Sequence, residues 1–317
     1  MKNNLMNSFK DYLISLKPRD RLITKSHTNK FFEGNNSIVI GWKSYWPFIE
    51  TLKKEFNQTN NSILDVGTYP GIIPEMIKDF IKPDFEHSIY GLGIGFDDLF
   101  YKEMEKFNTR LISADLDPRM TAHLNRVKKI DLPENSIDIC ILKDVIEHFY
   151  DPMYPLREIN KVLKKDGLLL LSTDNLSRYE SVLNILKGKS CNVPLIEGSM
   201  FYDGDWRPHF REYAKHELVQ LLTWNGFEVV KHKFFEAEFG FYKVVNNRLI
   251  YHDYTSIGFK NNLKKILRSI LKYLFPHLRD NHFIIARKVQ DDQWINSHAP
   301  SLTNDYQIWM KQRMQYY

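Results

Sequence analysis

Cysteine is nearly absent from this chain, with two residues, Cys140 and Cys191, in 317. Their number and spacing exclude a disulfide framework and a cysteine-rich zinc cluster. Long apolar runs are missing as well, and none approaches the ~20 residues a membrane-spanning helix needs. The first residues, MKNNLMNSFKDYLISLKPRD, have no apolar centre of the signal-peptide kind, so a soluble, cytoplasmic protein is expected. Neither sign of charge dominates: 44 Lys and Arg against 39 Asp and Glu leave a formal net charge of +5. That balance permits contact with nucleic acid, phosphorylated sugars or an anionic lipid surface and requires none of them. No RNA-binding signature or arginine-rich arm is present, so nucleic acid is not the favoured partner. Internal repeats and low-complexity tracts are absent too.

From Ser62 onward, short apolar runs alternate with helical stretches, the pattern of a parallel sheet covered by helices on both faces. Strands are expected at Ser62–Val66, His87–Leu92, Arg110–Ala114, Ile137–Leu142 and Leu168–Ser172. Helices are expected at about Ile72–Ile81, Asp97–Phe107 and Met153–Leu163, with another before the core at Trp46–Phe56. REYAKHELVQLLTWNGF reads as a helix closed by Gly226, followed by the strand FEVVKHKFF and, after a long insertion, the last strand HFIIARKV. The expected organisation is an amino-terminal helical or lid segment over 1–58 and a core domain over 59–290. Insertions fall at about 174–210 and 236–281, and a polar, aromatic appendage covers 291–317.

The turn LDVGTYPG, from Leu64 to Gly71, has the spacing D-x-G-x-x-x-G rather than G-x-G-x-x-G, so the dinucleotide fingerprint is not met. Gly67 and Gly71 permit a sharp turn and close approach of a ligand, and the helix that follows offers free N–H groups to an anionic group. A plain strand–turn–helix explains the same residues.

Four stretches carry more information: ILDVGTYPG, SIDICILKDVIEHFYDP, LREINKVLKKDGLLLLSTDN and HFREYAKHELVQLLTWNGFEVV. In this order and spacing the chain from Ser62 to Lys288 resembles the class I S-adenosylmethionine-dependent methyltransferases, most closely the branch acting on small molecules and glycans. The resemblance implies an α/β, Rossmann-like seven-stranded sheet with helices on both faces and its last strand antiparallel. It implies S-adenosyl-L-methionine as cofactor, bound by Asp65, Gly67, Thr68, Tyr69 and Gly71 of the first motif, Gly93, Asp115 (with Asp117 in reserve), Lys143 and Asp144. Where the family has an acidic ribose ligand this chain has Gly93, so Asp97 or Asp98 is expected to reach back, or backbone and water to replace it. Asp174 stands where the family has proline.

A hydroxyl acceptor needs a base or a metal. His148 and His209, with Asp144, are the catalytic candidates; His148 is equally explained as a brace for the turn after the fourth strand. Asp144, Glu147 and His148, at i, i+3 and i+4, would share one face of a helix and with His209 could hold a divalent metal, a reading that is not favoured over a metal-free site. Small-RNA 2′-O-methyltransferases carry a comparable segment and supply the alternative function. A degenerate, non-catalytic subunit is the third.

Two further features concern partners. FKNNLKKILRSILKYLF (259–275) has apolar residues at helical spacing and Lys260, Lys264, Lys265, Arg268 and Lys272 on the remaining surface. The expectation is that its apolar face packs on the core or on a second subunit of a homodimer; a membrane-surface helix is the alternative. Tyr202 and Trp206 could stack on a sugar or aromatic acceptor. The expected acceptor is a small molecule or glycan unit.

Overall fold

The computed structural model describes residues 42–55, 62–82, 89–118, 126–191, 207–236, 240–245, 248–253 and 261–291, with a few earlier positions including Phe9 and Ser37–Ile38. Tyr202, Trp206, Phe259, Lys260 and the segment 292–317 lie outside the described residues.

Ile63 packs on one face of the sheet and Leu64 and Val66 on the other, so all three are buried, and Asp65 between them is buried as well. In chain order the elements are β1 (Ser37–Ile38), α1 (Trp42–Glu55), β2 (Ile63–Val66), α2 (Ile72–Met76, continued by a π-helical turn at Ile77–Ile81) and β3 (Ile89–Gly93). Then come α3 (Asp98–Glu105), β4 (Thr109–Ser113), β5 (Ile137–Lys143), a 3-10 turn (Ile146–His148), α4 (Met153–Val162) and β6 (Leu163–Asp174). The chain continues through α5 (Tyr179–Leu186), α6 (Lys215–Trp224), β7 (Phe227–Phe235), β8 (Gly240–Val245), β9 (Arg248–Asp253), α7 (Asn261–Leu274) and β10 (Asn281–Lys288).

Seven strands form one sheet in the order β4-β3-β2-β5-β6-β10-β7. Neighbours from β4 to β6 are parallel, and β10 runs antiparallel to both β6 and β7. This is the expected doubly wound sheet with a reversed last strand. One face packs Ile63, Ile139 and Ile141 against Phe48, Ile49 and Leu52 of α1 and Ile73 and Met76 of α2. The other packs Leu64, Cys140 and Leu142 against Leu156 and Ile159 of α4 and Leu218 and Leu222 of α6. The strand order reverses between β2 and β5, so a crevice opens at their carboxyl ends, where open α/β sheets take ligands.

Two findings depart from expectation. The insertion after β7 contains the hairpin β8–β9, which pairs with β1 in a separate three-stranded sheet (Ser37 opposite Lys243). The described part of α7 also turns its apolar residues outward: Ile266, Leu267, Ile270 and Leu274 are exposed, whereas Lys272 is buried. Packing of that face on the core is therefore corrected.

Candidate active site at the switch point

The turn after β2 is held by its neighbours. Gly67 and Thr68 donate their N–H groups to the Leu92 carbonyl of β3, at 2.8 and 3.2 Å. Gly67 and Gly71 have φ of 76° and 85°, where L side chains are strained. A Cβ on Gly67 would overlap Val145, and one on Gly71 would overlap Met104. The Tyr69–Pro70 peptide is cis. Asp65, one residue before the turn, is buried, and loss of solvent pushes its carboxyl up to about 7 against the pull of Thr68 and Lys143.

Tyr69 is half exposed and its ring lies 5.1 Å from that of Phe100, which stacks on Phe96 at 5.2 Å. Phe96 explains Gly93: a Cβ there would come within 2.8 Å of its ring. Of the two residues expected to replace the ribose acid, Asp97 has a structural role. Its carboxylate caps α3, accepting from the Phe100 N–H at 2.7 Å, and Asp98 is an exposed first-turn residue. Asp115, expected at the adenine, is buried and already engaged. Arg207 donates to it at 2.5 Å, Arg126 at 3.2 Å and the Asp117 N–H at 3.2 Å, and hydrogen bonding and charge hold its carboxyl below the usual range despite burial. Asp117 accepts from the Tyr150 N–H at 2.6 Å.

At the end of β5, Lys143 pairs with Asp144, and its ammonium lies 4.4 Å from the centre of the Tyr45 ring of α1. Asp144 has φ 52° and accepts from the Ser172 hydroxyl at 2.5 Å. The helical face proposed for Asp144, Glu147 and His148 does not form, because only Ile146–His148 are helical and they make a 3-10 turn. Asp144 thus turns to Lys143 and Ser172. Glu147 is buried and accepts from the Thr173 hydroxyl at 2.8 Å; burial, with repulsion from Asp144 and Asp174, raises its carboxyl well above the ordinary value.

The segment 207–211 crosses the mouth of this crevice. His148 Nδ1 donates to the Arg207 carbonyl at 2.6 Å, and the Phe210 N–H donates to the Glu147 carbonyl at 2.8 Å. His209 stands edge-on to His148, 4.6 Å between ring centres, with Nδ1 3.4 Å from Asp174 Oδ2. The Asn281 amide, opposite Asp174 in the β6–β10 ladder, steadies that carboxylate at 3.1 Å. Burial lowers both imidazoles, and His148 lowers His209 further while Asp174 opposes it. Ligand atoms of Glu147, His148 and His209 lie within 4.8 Å of one another, as do those of Asp174, His209 and Glu212. Glu212, however, is paired with Arg178.

The fold therefore gathers Asp65, Thr68, Tyr69, Lys143, Asp144, Glu147, His148 and His209 along the carboxyl edge of the sheet. Sequence reasoning missed Phe96, Arg207 and Tyr45. Arg207 pairs with an acid 92 residues away, which no local signal marks.

This geometry agrees with what the chain resembles. A model of the methyltransferase domain family matches residues 45–232. The chain belongs to that family. A "Probable S-adenosylmethionine-dependent methyltransferase" of Mycolicibacterium smegmatis is 30% identical over 131 residues, 38% of this chain and 44% of the relative. One of Mycobacterium tuberculosis, with the same description, is 31% identical over 77 residues, 21% of this chain and 28% of the relative. The chain thus spans less than half the length of these curated relatives. Among solved structures, a SAM-dependent methyltransferase from Archaeoglobus fulgidus is 17% identical, with 77% of this chain and 94% of that chain covered at a TM-score of 0.42. The [4+2]-cyclase SpnF is 15% identical, with 76% and 80% covered at 0.44. The fold assignment rests on the strand order, not on these scores.

Proposed function

We propose that this methyltransferase-family chain uses S-adenosylmethionine to O-methylate a small polar acceptor, such as a sugar, nucleotide-sugar or surface-glycan unit. The observation that carries the reading is the convergence of two imidazoles, His148 and His209, with Asp174 at the carboxyl ends of β5 and β6. The methionine end suits the residues present: a buried carboxyl at Asp65 beside a glycine turn matches a cationic ammonium. At the adenine end, Asp115 is engaged by Arg207 and Arg126.

When bound, the cofactor supplies an activated methyl group on a sulfonium, which leaves the protein to orient the acceptor, exclude water and take a proton. His209 is the base that takes the acceptor's hydroxyl proton, and Asp174, with Oδ2 3.4 Å from Nδ1 but not hydrogen-bonded to it, then faces the imidazolium. His148, tied by its Nδ1–H to the Arg207 carbonyl, braces the opposite side.

The second reading, metal-assisted transfer to an RNA 2′-hydroxyl, is supported by the closeness of Glu147, His148 and His209. The deciding experiment is transfer of labelled methyl from S-adenosylmethionine to nucleotide-sugars, lipid-linked glycans and RNA, with and without EDTA. The expected result is a labelled glycan product, insensitive to EDTA and reduced about 100-fold or more in His209→Gln. Labelled RNA formed only with metal would replace this reading by the second.

A further inference from the structure

Between Asp253 and Asp280 the sequence holds six Lys or Arg residues and no Asp or Glu. α7 lies in this segment, and its described side chains are arranged inside out. Arg268 donates to Glu180 at 2.7 Å and stands 3.6 Å from Asp280. Lys272, only 3% exposed, pairs with Asp280 and with Glu236 at 2.9 Å. Acids of α5, of the residue after β7 and of the residue before β10 thus pin the helix to the body by its basic side. Ile266, Leu267, Ile270, Tyr273, Leu274 and Phe275 are left between 47% and 78% exposed. α5, joined to α7 through Glu180, ends in exposed Ile185 and Leu186, followed by exposed Lys187 and Lys189.

We propose that this face of α7, with the lysine-rich end of α5, rests on an anionic lipid surface. An apolar face of this size on a soluble domain marks an interaction site. Arg268 and Lys272 are engaged by acids of the body, so the charge beside this apolar face is that of the exposed Lys187 and Lys189, and it selects the occupant. A second copy would set like charge against like charge, whereas an anionic bilayer accepts both the apolar face and the positive charge. Tyr273 and Phe275 suit the headgroup boundary, where aromatic side chains collect.

The position of the helix adds a consequence for the proposed function, on which this part of the inference rests. Asn175, just after β6, donates to the carbonyls of His277 and Arg279 at 2.7 Å each, which ties the end of α7 to the strand that carries Asp174. A docked bilayer would lie on the acceptor side, so the acceptor class is a polar headgroup or glycan on a lipid anchor.

The test is flotation of the intact protein with vesicles of phosphatidylcholine alone or mixed with phosphatidylglycerol, at low and high salt. The protein is expected to float with the mixed vesicles at low salt and to be released as salt rises. Leu267→Asp and Ile270→Asp should each lower the partition coefficient by about tenfold or more, and Lys187→Glu with Lys189→Glu several-fold. Calorimetric binding of S-adenosylhomocysteine should be unchanged in all of them, which separates lost docking from lost folding. Absence of flotation at low salt, or flotation indifferent to Leu267→Asp and Ile270→Asp, overturns the proposal. So does light scattering that shows Ile270→Asp converting a dimer to a monomer without lipid. A protein that floats but transfers no methyl group retains the docking surface and loses the functional reading.

Discussion

Gly93 closes β3 with the ring of Phe96 standing where a side chain would begin, 2.8 Å from the position of a Cβ. The place of the missing ribose acid is therefore taken by the ring of Phe96, which stacks on Phe100, itself beside Tyr69. Gly93→Asp should cost about 1–3 kcal/mol of stability through overpacking, seen as a lower Tm, without tightening cofactor binding. Adding Phe96→Ala should restore stability and tighten binding. A stable Gly93→Asp single variant would show that the ring yields freely. Asp65, Gly67 and Gly71 were legible as a ligand turn because their spacing is local. Arg207 on Asp115 was not, since the partners are 92 residues apart and nothing local marks them as a pair.

At the scale of elements, Asp97 belongs to α3. Its carboxylate takes the Phe100 N–H, a role that Ser can largely fill and Ala cannot. Asp97→Ala should lower stability by about 1 kcal/mol and Asp97→Ser by less. Neither should change the affinity for S-adenosylhomocysteine; a large loss of affinity in both would return Asp97 to the ribose. The helices and strands of the core were readable because apolar period and burial agree there, as in α4 with Leu156, Ile159 and Val162 inward. For α7 the period identified two faces, but the choice of inner face depended on the acids Glu180, Glu236 and Asp280, which come from three separate places in the chain. The segment around Asp144, Glu147 and His148 failed as a helical face because Asp144 takes a left-handed φ to end β5.

For the whole molecule, the alternation of strands and helices determined the seven-stranded sheet and hence the crevice between β2 and β5. The small sheet of β1, β8 and β9 was out of reach, because a two-residue strand has almost no signal until its distant partner is known. All of the proposed chemistry depends on that crevice accepting the cofactor, with the buried carboxyl of Asp65 at its methionine end. Asp65 holds its proton up to about pH 7, and a cationic ammonium would favour the ionised form. Affinity should therefore rise with pH up to about 7 and then level off. The most direct measurement is calorimetric titration of the protein with S-adenosylhomocysteine from about pH 6 to about pH 8, beside Asp65→Asn. The account predicts single-site binding that weakens as pH falls below about 7, and weaker, pH-independent binding in the variant. A folded protein that gives no binding heat, or an affinity indifferent to both pH and Asp65, would contradict it.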